Sequence, residues 1–389
     1  MTDALVIGAG PAGLMAADRL SAAGRKVRLV DAMPSVGRKF LMAGKSGLNL
    51  TKEADDPSFL AEYSGHTGHL DPIVGRFGPD EVRRWVSDLG HEIFVGSTGR
   101  VFPVEMKASP LLRSWLARLR AQGVRIETKM NWAKWRDGEF HFMGREGPVS
   151  MKPNVAVLAL GGASWPRLGS SAGWIGQLEA MGAKYSPFQP SNVGINVNWS
   201  SHMNRHFGAP LKNVGFRCGE QLRRGECVIT KTGMEGGAIY SLSPALREDK
   251  ELWLDLAPDR SLNNLSAKAA KPRRKMSQTN YLRKALGLGQ AQIALLNEFA
   301  RPLAQGDALA AQIKSLKIPY SGLRPLDEAI SSAGGITWAS VDTTLMLKSC
   351  PGVFLAGEML DWDAPTGGYL ITACLATGKW AGEQAARWS

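Results

Sequence analysis

The first fifty residues limit what this chain can fold into more than any other part of it. A short apolar run, Ala4-Leu5-Val6-Ile7, leads straight into Gly8-Ala9-Gly10-Pro11-Ala12-Gly13. A helical pattern follows from Leu14 to Ala23, and a second apolar run, Val27 to Val30, ends in Asp31. Strand, glycine turn, helix and strand in this order make a βαβ unit with GxGxxG in the place a dinucleotide needs it. Gly8 makes the tight turn, Gly10 lets the backbone approach a pyrophosphate, and Gly13 lets the helix pack close to the strand. The helix N-terminus, opening at Pro11 and Ala12, offers free N–H groups and about half a positive charge to the phosphates. Asp31 stands eighteen residues past Gly13, near the usual place of the acid that hydrogen-bonds a ribose hydroxyl.

The chain has 389 residues, long enough for two or three domains, and 44% hydrophobic against 21% charged residues describes a globular protein. No apolar run approaches the ~18 residues of a membrane span. The first strand begins by residue 4, which leaves no room for a signal peptide. Cys218, Cys227, Cys350 and Cys374 have no metal spacing and are too few for a disulfide framework, so the expectation is a reducing cytoplasm and no metal. Net charge is +12, and residues 200–330 hold 20 Lys and Arg against 12 Asp and Glu. Between Arg260 and Lys284 stand eight cations and no acid: Arg260, Lys268, Lys271, Arg273, then Arg274, Lys275, Arg283 and Lys284. That asymmetry suggests a polyanionic partner such as RNA, beside the alternative of a solvated basic face.

Helical patterns run over Asp80–Leu89 and Pro110–Gln122. Val124–Thr128, Met130–Trp135 and Glu139–Phe142 read as the strands of a β-meander. Asn154–Leu160 is a continuous apolar run, as in a parallel strand buried on both faces, and it ends in Gly161-Gly162-Ala163-Ser164. Pro187 and Pro190 bracket a crossing into a strand-rich body with runs at Gly194–Asn198, Gly225–Thr230 and Glu251–Leu256. Leu262–Leu316 reads as several helices broken at Pro272, Gly287–Gly289 and Pro302, and Arg324–Thr337 as the return path. A last strand and turn, Gly352–Glu358, precedes Pro365-Thr366-Gly367-Gly368 and a final helix from Tyr369 to Ala386.

The opening motif does not separate NAD from FAD; the C-terminal segment does. A strand ending in Ala356-Gly357-Glu358, then a loop and a glycine-started helix, is how two-segment flavoproteins close over the flavin. The helix start at Gly367-Gly368-Tyr369 is expected at the pyrimidine edge of the ring, where its dipole favours the charge of the reduced flavin. The chain resembles the YhiN-like (BaiN/RdsA-type) flavoproteins, relatives of the glutathione-reductase flavin fold. The matching pieces are Gly8–Ala17, Gly37–Gly44, Leu160–Gly173, Ser331–Thr337 and Gly352–Ala373. The resemblance implies an α/β fold: a two-segment FAD-binding Rossmann domain (1–190 and 341–389), an inserted β-barrel (191–261 and 319–340) and a basic helical subdomain (262–318). It adds Gly37, Arg38, Lys39, Gly44, Asn49, Met130, Gly161 and Gly162 to the FAD contacts, and Glu358 with Gly357.

Where the family often reads GGGRCN, this chain has Gly44-Lys45-Ser46-Gly47-Leu48-Asn49, so its Arg and Cys positions hold Gly47 and Leu48. The barrel motif FTHxGxSGP appears as Ile229–Gly237, with Lys231 in place of His and Glu235 in place of a small residue. Lys45, Asn49 and Lys231 are therefore the polar candidates for catalysis. No second strand–GxGxxG–helix unit is present, so NAD(P)H is expected to reach the flavin as a transient donor. Members of the family are proposed to reduce carbon–carbon double bonds, one branch resembling a dihydrouridine synthase of ribosomal RNA and another linked to bile-acid reduction. Three functions stay open: reduction of a uridine in RNA, reduction of a small molecule, and a flavin-binding redox sensor without catalysis.

Overall fold

A computed structural model describes residues 3–45, 47–66, 68–273 and 275–389. The chain divides into two compact units, Met1–Gln189 with Ser331–Ser389, and Pro190–Ile330.

The first unit is built on five parallel strands in the order Val353–Leu355, Val155–Leu158, Ala4–Ile7, Val27–Asp31, Arg125–Thr128. Ala4–Ile7 and Val155–Leu158 are buried along their whole length, as the continuous apolar runs require. From the first strand the chain moves one way to Val27–Asp31 and later the other way to Val155–Leu158. Their carboxyl ends therefore diverge at a topological switch point, where open α/β sheets bind ligands. The first helix (Pro11–Ala22) and the C-terminal helix (Tyr369–Arg387) cross in close contact: a Cβ on Gly378 would lie 2.2 Å from the Ala12 carbonyl oxygen, and one on Gly382 2.7 Å from that of Ala16.

Two expectations need correction here. Arg125–Thr128 is the edge strand of the parallel sheet rather than the first strand of the meander. The meander is Asn131–Arg136, Glu139–Gly144 and Gly147–Met151. An edge strand alternates like a meander strand, and the turn before Gly147 carries no distinguishing apolar pattern. The return into the first unit falls at Ser331, ten residues before the expected 341, because Ser331–Ile336 forms a two-stranded sheet with Tyr185–Ser191.

The second unit carries a seven-stranded antiparallel sheet in the order Leu316–Ile318, Leu252–Asp255, Pro210–Cys218, Gln221–Thr230, Gly233–Glu235, Ile195–Val197, Tyr320–Leu323. Only Pro319 separates the two terminal strands of that order, so the sheet curls back on itself as a nearly closed barrel. Helices Leu262–Ala269, Gln278–Lys284, Gln290–Phe299 and Gly306–Lys314 are interrupted at Pro272, Gly287–Gly289 and Pro302, where the breakers stand. They share one apolar core with the barrel, Leu265, Leu282, Ile293 and Ile313 packing in the same cluster as Phe216 and Leu254. The helices are thus part of the barrel unit, not a subdomain with its own core. Among the described residues no helix is long and apolar enough to cross a membrane.

Candidate cofactor site

The switch point opens into a cleft of 540 Å³ in the first unit. Its floor follows from the glycine motif. Gly8 has φ +100°, and a Cβ there would lie 2.2 Å from the Ala159 carbonyl oxygen. A Cβ on Gly13 would meet the Gly8 carbonyl oxygen at 1.8 Å, so Gly13 serves helix packing and does not line the cleft. Gly10 differs: a Cβ there meets nothing within 4 Å and would project into open space. The first helix starts at Pro11 with no side-chain cap and no acid in its first turn, so its N–H groups remain available to an anion.

Asp31 ties this floor together. Its carboxylate accepts the backbone N–H of Ala9 and of Met33, each at 2.7 Å. Burial pushes its pKa above the ordinary value, against the pull of those two bonds and of Arg38. The Met130 N–H reaches the Asp31 carbonyl oxygen at 2.9 Å and brings Met130 to the rim. Gly37 donates its N–H to the Ala9 carbonyl oxygen at 2.9 Å, which sets Arg38 and Lys39 at the cleft.

Lys39 joins segments from three distant parts of the chain. Its Nζ donates to Ser164 Oγ at 2.8 Å and pairs with Glu358 Oε2 at 2.6 Å. Glu358 Oε1 accepts the Ser332 N–H at 3.1 Å, and Ser332 Oγ accepts the Ala163 N–H at 3.0 Å. Gly162 lies behind this network, where a Cβ would sit 2.1 Å from Ser332 Oγ. Gly357 and Glu358 line the cleft beside Gly161 and Cys374. Burial, reinforced by Glu358, pushes the Cys374 thiol up to about 12. Ser170 Oγ is buried at the cleft wall without a hydrogen-bond partner.

Other expected positions fall elsewhere. A Cβ on Gly44 would meet Ala108 Cβ at 2.6 Å, and one on Gly368 would meet Thr51 Cα at 2.4 Å. Both glycines, with Gly367 and the buried Tyr369, lie outside the cleft lining. The Tyr369 ring packs 4.7 Å from that of Phe59, and Tyr63 Oη donates to the Tyr369 carbonyl oxygen at 2.8 Å. None of the three catalytic candidates lines the cleft. Lys45 is exposed, Asn49 is half-buried with Oδ1 enclosed and unpartnered, and Lys231 is exposed at a hairpin turn of the second unit. Leu48 is fully buried and its N–H is held by the Met106 carbonyl oxygen at 2.9 Å. Sequence reasoning missed Ser170, Trp174, Gln177 and Cys374 in the lining. A signal existed for Ser170, in the Leu160–Gly173 motif; Cys374, on the C-terminal helix, carried none.

In the second unit, Arg260 is bound into the fold, donating to the Leu286 carbonyl oxygen. Arg274 lies outside the described residues. Lys268, Lys271, Arg273, Lys275, Arg283 and Lys284 remain without an ion pair to any carboxylate among the described residues. The Tyr281 hydroxyl, bonded to the carbonyls of Lys268, Ala269 and Lys271 at 3.1–3.3 Å, pins the turn that carries them.

This geometry fits a dinucleotide: an uncapped helix start, an open glycine facing it, a carboxylate at the second strand and an orphaned buried hydroxyl opposite. The HI0933-like protein Rossmann domain matches residues 2–384. The chain belongs to this family. The chain is similar to a 3-dehydro-bile acid delta(4,6)-reductase of Clostridium scindens, 26% identical over 98% of both chains. The ribosomal RNA dihydrouridine synthase of Escherichia coli is 21% identical over 94% of both. Among solved structures, a flavocytochrome c3 fumarate reductase superposes with a TM-score of 0.50, 17% identity and coverage of 99% of this chain and 78% of its own. A 3-ketosteroid-delta4-(5alpha)-dehydrogenase from Rhodococcus jostii gives 0.50, 16%, 99% and 96%. The chain is an FAD-dependent oxidoreductase.

Proposed function

We propose that the protein reduces a carbon–carbon double bond conjugated to a carbonyl in a small molecule, with NAD(P)H as the electron donor. Two electrons and one proton come from the donor and one proton from solvent or a side chain, so the alkene becomes the saturated ketone as the donor becomes NAD(P)+. The end-to-end match to a 3-dehydro-bile acid delta(4,6)-reductase carries this reading, because a Δ4 bond beside a 3-oxo group is such a conjugated alkene. FAD, when bound, supplies the hydride transfer. The chain's own residues hold and orient it: Gly10 and the first helix take the pyrophosphate, Asp31 the ribose, and Lys39, fixed by Glu358 and Ser164, places a cation at the far wall. The test is anaerobic mixing of the flavin-loaded protein with NAD(P)H and then with a 3-oxo-Δ4 steroid. Bleaching followed by recovery of the oxidised-flavin band is expected. A flavin that neither nicotinamide reduces, or that no conjugated enone reoxidises, refutes the reading.

One observation favours a second substrate of the same chemical kind, a uridine in RNA, whose C5–C6 bond is conjugated to a carbonyl. The six cations from Lys268 to Lys284 stand without carboxylate partners among the described residues. If about five of them meet phosphates of unpaired RNA, log K falls against log salt with a slope of roughly −3 to −4. Replacing Lys271, Arg273 and Lys275 with Ala flattens that slope and leaves FAD absorbance intact. A base must leave its stack to reach a flavin, at a cost of a few kcal/mol, which favours a loop or an unfolded precursor. Unchanged dihydrouridine in RNA from a deletion strain refutes this second substrate and leaves the first.

A further inference from the structure

A second cavity, of 410 Å³, opens beside the FAD cleft in the same unit and shares Ser35, Arg38 and Leu168 with it. Its other walls are Leu41 and Met42 of the helix Arg38–Ala43, the Gly44–Lys45 turn, and Lys107 to Ser109 at the start of the helix Ala108–Ala121. Three cations, Arg38, Lys45 and Lys107, line it, and no carboxylate does. None of the three forms an ion pair among the described residues. The Arg38 guanidinium is short of acceptors: Nη1 reaches only Ser35 Oγ, at 3.3 Å, and Nε is buried without a partner. Lys107 Nζ is held over the turn by the Lys45 carbonyl oxygen at 3.0 Å. The helix behind it runs fourteen residues and begins with no side-chain cap and no acid in its first turn. Its first N–H groups therefore add to the same positive field.

Three cations around one cavity, with no acid on its walls, select a group of high negative charge and small size. The chain has one nucleotide-binding βαβ unit and no second GxGxxG turn, so a nicotinamide donor has no domain of its own. We propose that this cavity binds the 2′-phosphate of NADPH, docking the donor against the mouth of the FAD cleft through the shared wall of Ser35, Arg38 and Leu168. The inference rests on the reading that a nicotinamide reduces the flavin. It gives Lys45, which lies off the FAD cleft, an electrostatic role, and it makes NADPH rather than NADH the preferred donor.

The test is calorimetric titration of the flavin-loaded protein with 2′,5′-ADP and with 5′-ADP, in the wild type and in Lys107→Ala and Lys107→Glu. The wild type is expected to bind 2′,5′-ADP at least about 10-fold more tightly than 5′-ADP, as one charge-assisted phosphate contact gives. Lys107→Ala should weaken 2′,5′-ADP roughly 10-fold and Lys107→Glu roughly 100-fold, with FAD absorbance and NADH-driven flavin reduction unchanged. Equal binding of the two nucleotides overturns the proposal. So does loss of FAD in either variant, which assigns the cavity to the phosphates of FAD itself. A short unpaired RNA that displaces 2′,5′-ADP and binds more tightly than it, with the same Lys107 dependence, assigns the cavity to nucleic acid and also overturns the proposal. Binding of 2′,5′-ADP needs no turnover, so it holds or fails whether or not a nicotinamide reduces the flavin.

Discussion

Two glycines three residues apart in one motif are expected to fail in opposite ways. A Cβ on Gly13 would lie 1.8 Å from the Gly8 carbonyl oxygen and 3.3 Å from Ala159 Cβ. Gly8 cannot yield, because it already stands close against the Ala159 carbonyl. Gly13→Ala therefore forces helix and strand apart by more than an ångström, an overpacking cost of about 1–3 kcal/mol or more. The expected result is a Tm lowered by about 2–4 °C for each kcal/mol in a unit of this size, with or without flavin. Gly10 has an extended backbone, φ −80° and ψ −176°, that any residue adopts, and a Cβ there meets nothing within 4 Å. Gly10→Val should leave the flavin-free protein as stable as the wild type. Its methyl groups instead occupy the space a pyrophosphate needs in order to reach the helix N–H groups. Loss of two charge-assisted hydrogen bonds at about 1.5–3 kcal/mol each raises the FAD Kd roughly 10²- to 10⁴-fold. Thermal melts of stripped protein, paired with fluorescence titration of FAD, read both quantities. A Gly10→Val protein that keeps wild-type FAD affinity, or that melts as low as Gly13→Ala when stripped, refutes the assignment of the two roles.

Three further outcomes follow from the same unit. Ending the chain after residue 340 removes the strand Val353–Leu355 and the helix whose Gly378 and Gly382 seat against the first helix. Flavin binding should be abolished, and a stable yellow truncation contradicts the two-segment domain. Burial pushes the thiols of Cys227 and Cys374 up to about 12 and that of Cys218 to about 11. At pH 8 less than about one in a hundred is thiolate, so iodoacetamide should label these three far more slowly in the native protein than after unfolding; rapid labelling of Cys374 in the native protein contradicts its raised pKa beside Glu358. Burial also holds the Asp31 carboxyl above its ordinary 3.8, so the folded state binds that proton more tightly than the unfolded one. Its contribution to stability is fully present below 3.8 and is lost as the pH rises through the folded pKa. Flavin-free wild type should accordingly lose stability relative to Asp31→Asn across that window in urea melts, and a difference independent of pH refutes it.

Local features of the fold were legible because a few neighbouring residues dictate them. The Gly8–Gly13 turn, the apolar strands on either side and the helix breaks at Pro272 and Pro302 each depend on contiguous chain. The far wall of the cleft was not legible as a structure. Lys39 finds its partners 125 and 319 residues away, and Glu358 meets Ser332 across the return of the chain. No periodicity reports such pairings. Arg125–Thr128 was misread because an edge strand, covered on one side only, alternates as a meander strand does.

The catalytic candidates show a different limit. Lys45 and Asn49 were chosen because they sit on a motif, yet Leu48 between them is buried and hydrogen-bonded to Met106, which fixes the turn for packing. The same residue type on a motif can serve a ligand or a neighbour, and spacing along the chain does not distinguish the two. Gly10 and Gly368 both begin helices without a side-chain cap. A Cβ on Gly10 finds empty space, whereas one on Gly368 would meet Thr51 Cα at 2.4 Å. The first glycine is open for a pyrophosphate; the second is required by the strand already there. The C-terminal helix therefore contributes to the cleft through Cys374, one turn further along, and through the Gly357–Glu358 turn that precedes it, rather than through the glycines at its start.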